Sequence, residues 1–505
     1  MALRRSGVRL PLSPPVKRVF RLNDKAKHFF YFHKNAIRFY DIIIKMSNFK
    51  KVSKGGRKFL FAGKGMSVRT GRFLGESMLV GAVTGLAVVA FKYLIDFAHH
   101  YFAVIESKRI MVWDNAARWI LFVLPAAGAL LGYLLIKRFS KLEHVRGTDS
   151  AIMSFHKREG YITSTVIPVK PIASVLTVGT GGSAGYEGPV TLIGAACGSA
   201  VARSLRIASR GRRVLMAAGL SAGIAALFQA PLAGAIFGFE IFYSSSDIED
   251  ETVLPCFIAS AVSYAIYACL IGQSAWEPLF VLDNQYAFSN GLRLLPYFVL
   301  AVVVAFAVRF YITFFRFTEK LFSGIAVPGW TRVVIGGLVT GGIGFFYPDI
   351  LSTSYSVITA AFSMQEGVTL EGLGSFTAYG LFILFILKVI ATSFTVGSGG
   401  SGGLFAPALV CGAAVGAAVG MVFKSILPDA IGIHPQAFAL VGMAGFMASA
   451  LRIPLTAIVM VAEMSGNHQL LLPAMWVCCI SFWLNSGWTL YRSQVHTQES
   501  SPVHG

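Results

Sequence analysis

The chain has 505 residues, of which 55% are apolar and only 13% are charged. Soluble domains average about 25% charged residues, so this composition excludes an ordinary water-soluble enzyme or binding domain. The net charge of +20 does not indicate a nucleic-acid partner, because residues 1–73 alone carry 19 Lys and Arg against two Asp, a net +17. By the positive-inside rule we expect this basic segment in the cytoplasm, beside anionic membrane lipid.

Residues 1–72 lack the long apolar core of a signal peptide. An interfacial helix at 29–40, a disordered tail, and a true start at Met46 or Met66 all remain open for this segment. Ten or more later segments approach the roughly 20 apolar residues that a membrane span requires. The sequence therefore predicts an all-α polytopic membrane protein.

We divide the remaining chain into a first transmembrane half at 73–272, a second at 273–495 and a polar tail at 496–505. The predicted helices of the first half are Gly75–Ile105, Asn115–Ser140, a short helix within Glu143–Gly160, Val169–Val178, Pro189–Arg203, Leu215–Leu227, Leu232–Tyr243 and Thr252–Ile271. Those of the second half are Leu292–Phe322, Trp330–Tyr347, a reentrant or interfacial helix at Leu351–Glu366, Leu370–Phe394, Ala408–Phe423, Phe438–Leu451, Leu455–Met464 and Leu470–Tyr491.

One glycine-rich pattern occurs once in each half. Thr177–Pro189 reads TVGTGGSAGYEGP and Thr395–Pro407 reads TVGSGGSGGLFAP, at a constant offset of 218 that Lys170 and Lys388 share. Further matches continue downstream at an offset of 223, and they pair Gly219, Pro231, Leu232 and Glu240 with Gly442, Pro454, Leu455 and Glu463. The chain is therefore two related halves.

Each glycine-rich pattern interrupts an apolar region. Between Lys170 and Arg203 the only charged residue is Glu187, and between Lys388 and Lys424 there is none. A break in lipid leaves backbone N–H and C=O groups unpaired at several kcal/mol each, unless protein or a cavity satisfies them. Paired breaks in two halves point to a transporter-type site at the membrane midplane.

The chemistry that such breaks offer is anion binding. A helix start presents unsatisfied N–H groups and about half a positive charge, so two facing starts make an anion site without a lysine. Dipoles and hydroxyls hold an anion loosely enough to let it leave, which suits conduction.

Glu187 is conspicuous because its carboxylate is itself an anion, placed two residues before Pro189 at a helix start. It can occupy the site that its neighbours form, and protonation or movement would free that site. Intramembrane acids are functional candidates by default, so Glu187 is a candidate gate and proton carrier. The alternative is a plain helix-capping carboxylate.

Three other features have a structural and a functional interpretation. Glu240 and Glu463 each follow a proline by nine residues, and we favour capped or paired structural acids over a transport role. Thr148, Asp149 and Ser150 are N-cap residue types, which predict either an ordinary capped loop helix or a third helix start aimed at the site. The six cysteines lie in apolar segments without metal-ligand spacing, so we predict buried thiols, no metal site and no disulfide.

Five motifs resemble the CLC family of chloride channels and chloride/proton exchangers, in its prokaryotic form without C-terminal CBS domains. They are GYEGP (Gly185–Pro189, with Tyr186 where the family usually has a basic residue), GGLFAP (Gly402–Pro407), QAPLAGAIFGFE (Gln229–Glu240), VMVAEMSGNHQLLLP (Val459–Pro473) and LYRSQ around Tyr491. The resemblance covers about residues 75–495.

The resemblance implies an inverted two-half repeat with broken and reentrant helices, a homodimer with one pore per subunit, and gating of chloride by Glu187. It implies both termini in the cytoplasm, a plasma (inner) membrane location, voltage gating, anion selectivity, and bound chloride as the sole cofactor. The family's G-S-G-I-P loop is matched only by Gly147–Thr148–Asp149. The implied chloride-binding residues are Thr148, Gly185, Tyr186, Gly188, Gly403, Leu404, Phe405, Ala406 and Tyr491.

One departure bears on mechanism. Exchangers of this family commonly carry a proton-transfer glutamate directly after the acid that matches Glu240, and here that position is Ile241. We therefore favour a chloride channel, with chloride/proton antiport as the alternative because water can bridge to Glu187. A membrane enzyme or a membrane protein without transport is disfavoured, since HExxH and Walker A motifs are absent from the sequence.

Overall fold

The computed structural model describes residues 68–101, 115–139, 147–280, 291, 294–363, 369–370, 374–375, 377–427 and 433–503. The alternatives for the basic segment, namely the helix at 29–40 and the starts at Met46 and Met66, lie outside the described residues.

Helices make up almost all of the described structure. Those of the first half are α1 (Val68–Tyr101), α2 (Asn115–Phe139), α3 (Thr148–Lys157), α4 (Val166–Gly179), α5 (Glu187–Ser204), α6 (Ser209–Phe228), α7 (Pro231–Glu240) and α8 (Val253–Ile271). Those of the second half are α9 (Leu294–Gly324), α10 (Gly329–Phe346), α11 (Tyr355–Ser363), α12 (Ala378–Gly397), α13 (Phe405–Ile426), α14 (Pro435–Leu451), α15 (Pro454–Ser465) and α16 (Leu471–Leu484). The described strands are β1 (Thr369–Leu370) and β2 (Gly374–Ser375), which pair antiparallel.

Eight of the described helices are long and apolar enough to cross a membrane. Four shorter apolar helices of 10–17 residues accompany them. One of the short helices, Val166–Gly179, ends at the first glycine-rich break, as expected of a broken helix. The predicted all-α polytopic fold is confirmed.

The helix order of the first half repeats in the second. The α1 helix packs on α8 as α9 packs on α16, α3 packs on α5 as α11 packs on α13, and α5 packs on α6 as α13 packs on α14. Contacts between the halves run through α2 with α10 and α7 with α15. One large hydrophobic core therefore draws residues from both halves.

Small residues let the central helices touch backbone to backbone. A Cβ atom on Gly219 would lie 2.1 Å from the Gly194 carbonyl oxygen, where α6 crosses α5. At the equivalent crossing of α14 and α13, a Cβ on Gly442 would lie 2.6 Å from the Gly412 oxygen. Because lipid supplies no hydrophobic drive for helix association, such close packing is what holds these helices together.

The last helix ends earlier than predicted. It stops at Leu484 instead of running to Tyr491. Asn485 follows it, accepts a hydrogen bond from Arg309 Nε at 2.7 Å, and donates to Ala305 O at 3.0 Å. These buried polar contacts hold Asn485 in place, and the chain turns away from the helix at Gly487, whose φ is +80°.

The segment after Tyr491 docks on the rest of the protein. Ser244 N donates to Val495 O at 2.8 Å, and Ser245 N donates to His496 O at 3.0 Å. Ser501 is 1% exposed and hydrogen-bonds His156 Nδ1 at 2.8 Å. The described part of the predicted polar tail is therefore packed against α3 and the end of α7.

The prediction of six buried cysteines is wrong for two of them. Cys269 and Cys479 are exposed, whereas the other four are buried. Both exposed thiols lie on apolar helices, where lipid is the expected surrounding. All six are free thiols.

Candidate anion-binding site at the paired helix breaks

The two glycine-rich breaks meet each other in the structure. Gly185 N donates to Gly403 O at 2.9 Å, and Gly403 N donates back to Gly185 O at 2.8 Å. This reciprocal pair joins equivalent positions of the two halves, 218 residues apart. The two copies of the repeated pattern therefore meet and form a single site.

Glycine is required here by close approach. A Cβ on Gly188 would lie 2.8 Å from the Gly403 Cα, and a Cβ on Gly403 would lie 2.6 Å from Gly188 N. No ordinary side chain fits at either distance, so the spacing of the two helix starts depends on the absence of side chains.

The breaks also satisfy each other's polar groups. Ser183 N donates to Thr395 Oγ1 at 3.1 Å, and Ser401 N donates to Thr177 Oγ1 at 3.3 Å. Thr177 lies in the last turn of α4 and Thr395 in the last turn of α12, and each accepts a hydrogen bond from the break of the opposite half. The cost of breaking a helix in a membrane is thus offset within the protein.

Two helices begin at the point of contact. Helix α5 starts at Glu187 and α13 starts at Phe405, and each has proline as its third residue. The first intrahelical bonds are Val190 N to Tyr186 O at 3.0 Å and Ala408 N to Leu404 O at 3.2 Å. The N–H groups before these bonds are the unsatisfied donors that attract anions.

The Glu187 side chain occupies the start of the opposite half's helix. It is 1% exposed, its Oε2 accepts a hydrogen bond from Ala406 N at 3.3 Å, and its Oε1 accepts one from the Tyr355 hydroxyl. Lys388 lies within electrostatic range. The contacts are those expected of a carboxylate that takes the place of a transported anion.

Sequence reasoning did not identify Tyr355. It is the first residue of α11, after a turn in which Ser352 and Ser354 have left-handed backbone, with φ of +57° and +58°. The buried Lys388 ammonium fixes this turn by donating to Ile350 O, Ser352 O and Ser354 Oγ at 2.8–3.0 Å. The sequence signal that could have pointed to this turn is Lys388, which repeats Lys170. That Lys388 binds the turn before Tyr355 is visible only in the folded chain.

Thr148 lies at the start of α3, a third helix start that packs against the start of α5. Helix α3 begins at Thr148 itself, with no side-chain cap, so the prediction that Thr148, Asp149 and Ser150 precede the helix as caps is wrong. A Cβ on Gly147 would lie 2.9 Å from the Gly188 carbonyl carbon, because the starts of α3 and α5 abut. The Thr148 hydroxyl instead bonds Thr191 Oγ1 at 2.8 Å and interacts with the Tyr491 side chain.

A cavity opens beside these residues, and five of the predicted chloride-binding residues line it. They are Thr148, Gly188, Gly403, Leu404 and Tyr491. The other lining residues are Asp149, Phe315, Arg316, Glu319, Val396, Gly402, Leu490 and Arg492. The cavity therefore reaches the start of α5, directly after Glu187.

The remaining predicted chloride-binding residues do not line the cavity; they are Gly185, Tyr186, Phe405 and Ala406. Phe405 is 1% exposed and packs against Phe228 with ring centroids 5.0 Å apart. Tyr186 is buried and packs edge-on against Phe91, with ring centroids 5.7 Å apart. Ala406 offers its N–H to Glu187, as described above.

Glu240 and Glu463 cap helices reciprocally. Glu240 accepts hydrogen bonds from Leu455 N and Thr456 N at the start of α15, both at 2.8 Å. Glu463 accepts from Leu232 N at 3.1 Å and Ala233 N at 2.8 Å, at the start of α7. These contacts belong to structural caps, the interpretation that the sequence favoured for both acids.

Comparison with known proteins gives the family. Residues 127–486 match the family model described as voltage gated chloride channel. The chain belongs to this family, the CLC family.

This CLC protein is similar in sequence to a named exchange transporter and in fold to two solved antiporter structures. The H(+)/Cl(-) exchange transporter ClcA of Yersinia pestis bv. Antiqua (strain Angola) is 32% identical over 409 residues, which cover 79% of this chain and 81% of the relative. A slow cyanobacterial Cl-/H+ antiporter has the same fold, with a TM-score of 0.69 at 21% identity, over 82% of this chain and 94% of the other. A CLC-type fluoride/proton antiporter matches with a TM-score of 0.70 at 19% identity, over 86% of this chain and all of the other.

The two structural matches show the fold alone, because their sequence identity is low. Together with the eight apolar spans, the family membership establishes an integral membrane protein of the CLC anion-transport type.

Proposed function

We propose that this CLC protein exchanges chloride for protons across a membrane, and that Glu187 both closes the anion path and carries the proton. The observation that carries the proposal is the Glu187 carboxylate at the start of α13, where Ala406 N and the Tyr355 hydroxyl donate to it. The naming of the ClcA relative as an exchanger supports the same conclusion.

The mechanism is a competition between two anions for one set of donors. As a carboxylate, Glu187 takes the positive end of α13 and excludes chloride. When it is protonated it loses its charge, so the helix start no longer holds it and chloride can enter. Return of the carboxylate displaces chloride and requires release of the proton, which couples the two movements.

The chloride contacts that we propose use dipoles and hydroxyls. The Thr148 and Tyr491 hydroxyls would serve from the cavity, together with backbone N–H groups at Gly188 and at Leu404 to Ala406. Gly185 and Gly403 already donate their N–H groups to each other, so in this arrangement they set the spacing instead of binding the ion. With donors of this kind chloride can leave as easily as it enters.

A chloride channel without proton coupling is the second candidate. Ile241, which is fully buried, cannot carry a proton, and this residue led the sequence analysis to favour a channel. That preference is not supported by the ClcA relative, which is named an exchange transporter.

Paired flux measurements on the purified protein in liposomes test the proposal. A chloride gradient should drive protons against their own gradient, with chloride followed by an electrode and protons by internal pH. Robust chloride flux without uphill proton movement would establish the channel instead.

The Glu187→Gln variant tests the role of the acid. An amide cannot titrate, so chloride flux should persist while uphill proton movement and the pH dependence of flux disappear. Glu277→Gln, which changes an exposed acid in the same way, is the matched control. Wild-type coupling in Glu187→Gln would show that Glu187 is not the gate.

Three further proposals accompany the transport function: a homodimer, location in the plasma (inner) membrane, and both termini on the cytoplasmic side. The resemblance to the family supports each of them, and the basic charge of residues 1–73 supports a cytoplasmic N-terminus under the positive-inside rule. Protease cleavage of a C-terminal tag in inside-out vesicles, but not in right-side-out vesicles, would support the orientation. The opposite pattern would overturn it.

A further inference from the structure

Coupled exchange brings a proton to Glu187, and an acid in the cavity beside the site would shorten its path through water. Both oxygens of Glu240 already accept hydrogen bonds at the start of α15, and the next residue is the buried, apolar Ile241. Glu240 is therefore engaged as a helix cap, and Ile241 has no titratable group.

The cavity beside Thr148 and Tyr491 contains a different acid. Glu319, near the end of α9, lines this cavity and is only 6% exposed. Gly188, the residue directly after Glu187, lines the same cavity. One continuous space therefore joins the surroundings of Glu319 to the start of α5.

The surroundings of Glu319 connect it to solvent. Its Oε2 pairs with Arg492 Nη2 at 2.5 Å, and the side chain of Arg492 is 55% exposed. Arg316, one turn earlier on α9, donates to Thr489 O at 2.6 Å and also lines the cavity. The charged and titratable groups that face Glu319 across the cavity are thus Arg492, Arg316, Asp149 and Tyr491.

Resting on the proposed exchange, we propose that Glu319 is the cavity-side proton acceptor and that it takes over the role that Ile241 cannot fill. Its carboxylate takes a proton from bulk water at the mouth of the cavity and becomes neutral, which releases Arg492. The proton then passes to water entering the cavity and on to the Glu187 carboxylate, and Glu319 returns to its charged form. No other reactant is consumed.

Asp149 is the other acid in the cavity, and its contacts argue against the same role. It lies in the first turn of α3, where the helix dipole interacts favourably with a carboxylate and holds it at the helix start. Its Oδ1 accepts a hydrogen bond from Ser493 N at 2.9 Å, which ties it to the docked C-terminal segment. Asp149→Asn is therefore the matched control for Glu319→Gln.

The test measures chloride and proton flux in liposomes for both variants. Glu319→Gln should lower proton flux per chloride at least about tenfold, because loss of a positioned acid or base typically costs far more than that. Chloride flux should stay close to wild type, and Glu319→Asp should restore part of the coupling. Asp149→Asn should keep the wild-type ratio of protons to chloride.

The outcomes separate this inference from the proposed function. Absence of uphill proton movement in the wild type would defeat exchange itself, whereas wild-type coupling in Glu319→Gln would defeat only the role of Glu319. If Glu319→Gln yields no chloride flux, the Arg492→Gln variant tests the role of Glu319 instead. This variant keeps the acid but removes its cationic partner, so coupling should persist while the pH profile of proton flux shifts. An unshifted pH profile would overturn the assignment.

Discussion

Glu187 belongs to the first half of the chain, yet its carboxylate is bound by two donors of the second half. Ala406 N lies on α13 and the Tyr355 hydroxyl lies on α11. A hydrogen bond to a charged group is worth about 1.5–3 kcal/mol, so each donor has a measurable share in holding the carboxylate at the anion site.

Removal of the Tyr355 hydroxyl should weaken this hold. We expect Tyr355→Phe to raise chloride flux at neutral pH about tenfold or more, because 1.4 kcal/mol corresponds to a factor of ten in occupancy. Chloride efflux from liposomes measures the change. Tyr379→Phe, at a residue that is 75% exposed, should leave efflux unchanged.

An efflux rate in Tyr355→Phe equal to that of wild type would mean that Ala406 N and the neighbouring groups suffice. Combination with Glu187→Gln checks the mechanism. Once the carboxylate is gone, loss of the tyrosine hydroxyl should have no further effect on efflux.

Glu187 could be predicted from the sequence, whereas Tyr355 and Glu319 could not. Glu187 is the only charged residue in a long apolar stretch, and it lies within a repeated pattern. Tyr355 reaches it across 168 residues, through a turn whose left-handed backbone is fixed by buried Lys388. Glu319 lies near the end of a long span, where a charged residue is ordinarily expected to face water.

The helices around the site are stabilised by caps that each half of the chain provides for the other. Glu240 ends α7 and caps α15, while Glu463 near the end of α15 caps α7. The repeated glycine pattern predicted that the two breaks correspond, and the structure shows that they also bind each other. Helix ends were less predictable because they depend on partners that are distant in the sequence. The end of α16 is an example, since Asn485 directly after it is held by hydrogen bonds with Arg309 and Ala305.

Loss of the Glu240 cap should lower stability and leave transport coupling intact. We expect Glu240→Ala to cost about 1–3 kcal/mol, since it leaves the Leu455 N–H, the buried Thr456 N–H and the Thr456 hydroxyl without their acceptor. Thermal unfolding followed by tryptophan fluorescence measures the loss. Glu463→Ala should cost less, because that acid is only partly buried.

Proton and chloride flux on the same preparations completes the comparison. The ratio of protons to chloride should match wild type in both variants. Loss of proton movement in Glu240→Ala, with an unchanged unfolding temperature, would contradict the assignment of Glu240 as a cap.

Many of the described helices present apolar side chains outward, and four of them, α8, α7, α15 and α16, contact one another in that order. Leu232 on α7, Leu254 on α8, Leu455 on α15 and Leu472 on α16 are 45–53% exposed. The α7 and α15 helices contact each other across the halves, so these leucines belong to one connected group of helices. We propose this group as the contact between the two subunits.

The protein in mild detergent should therefore have twice the mass of its 54.4 kDa chain. Trp in place of both Leu232 and Leu455 should shift native mass spectra toward the single chain, because bulk at a packed surface prevents close contact. Leu295→Trp, at a residue that is 67% exposed on α9, is the control. A single-chain mass for the wild type would contradict the dimer.

The reciprocal caps of Glu240 and Glu463 have a consequence for biosynthesis. Leu455, whose N–H Glu240 binds, is 215 residues further along the chain. At roughly 5–20 residues per second, the ribosome needs about 10 to 40 s to deliver it. Throughout that interval the acid at the end of α7 has to stay hydrated or protonated, so the newly inserted first half cannot settle fully in the bilayer before translation of the second is nearly complete.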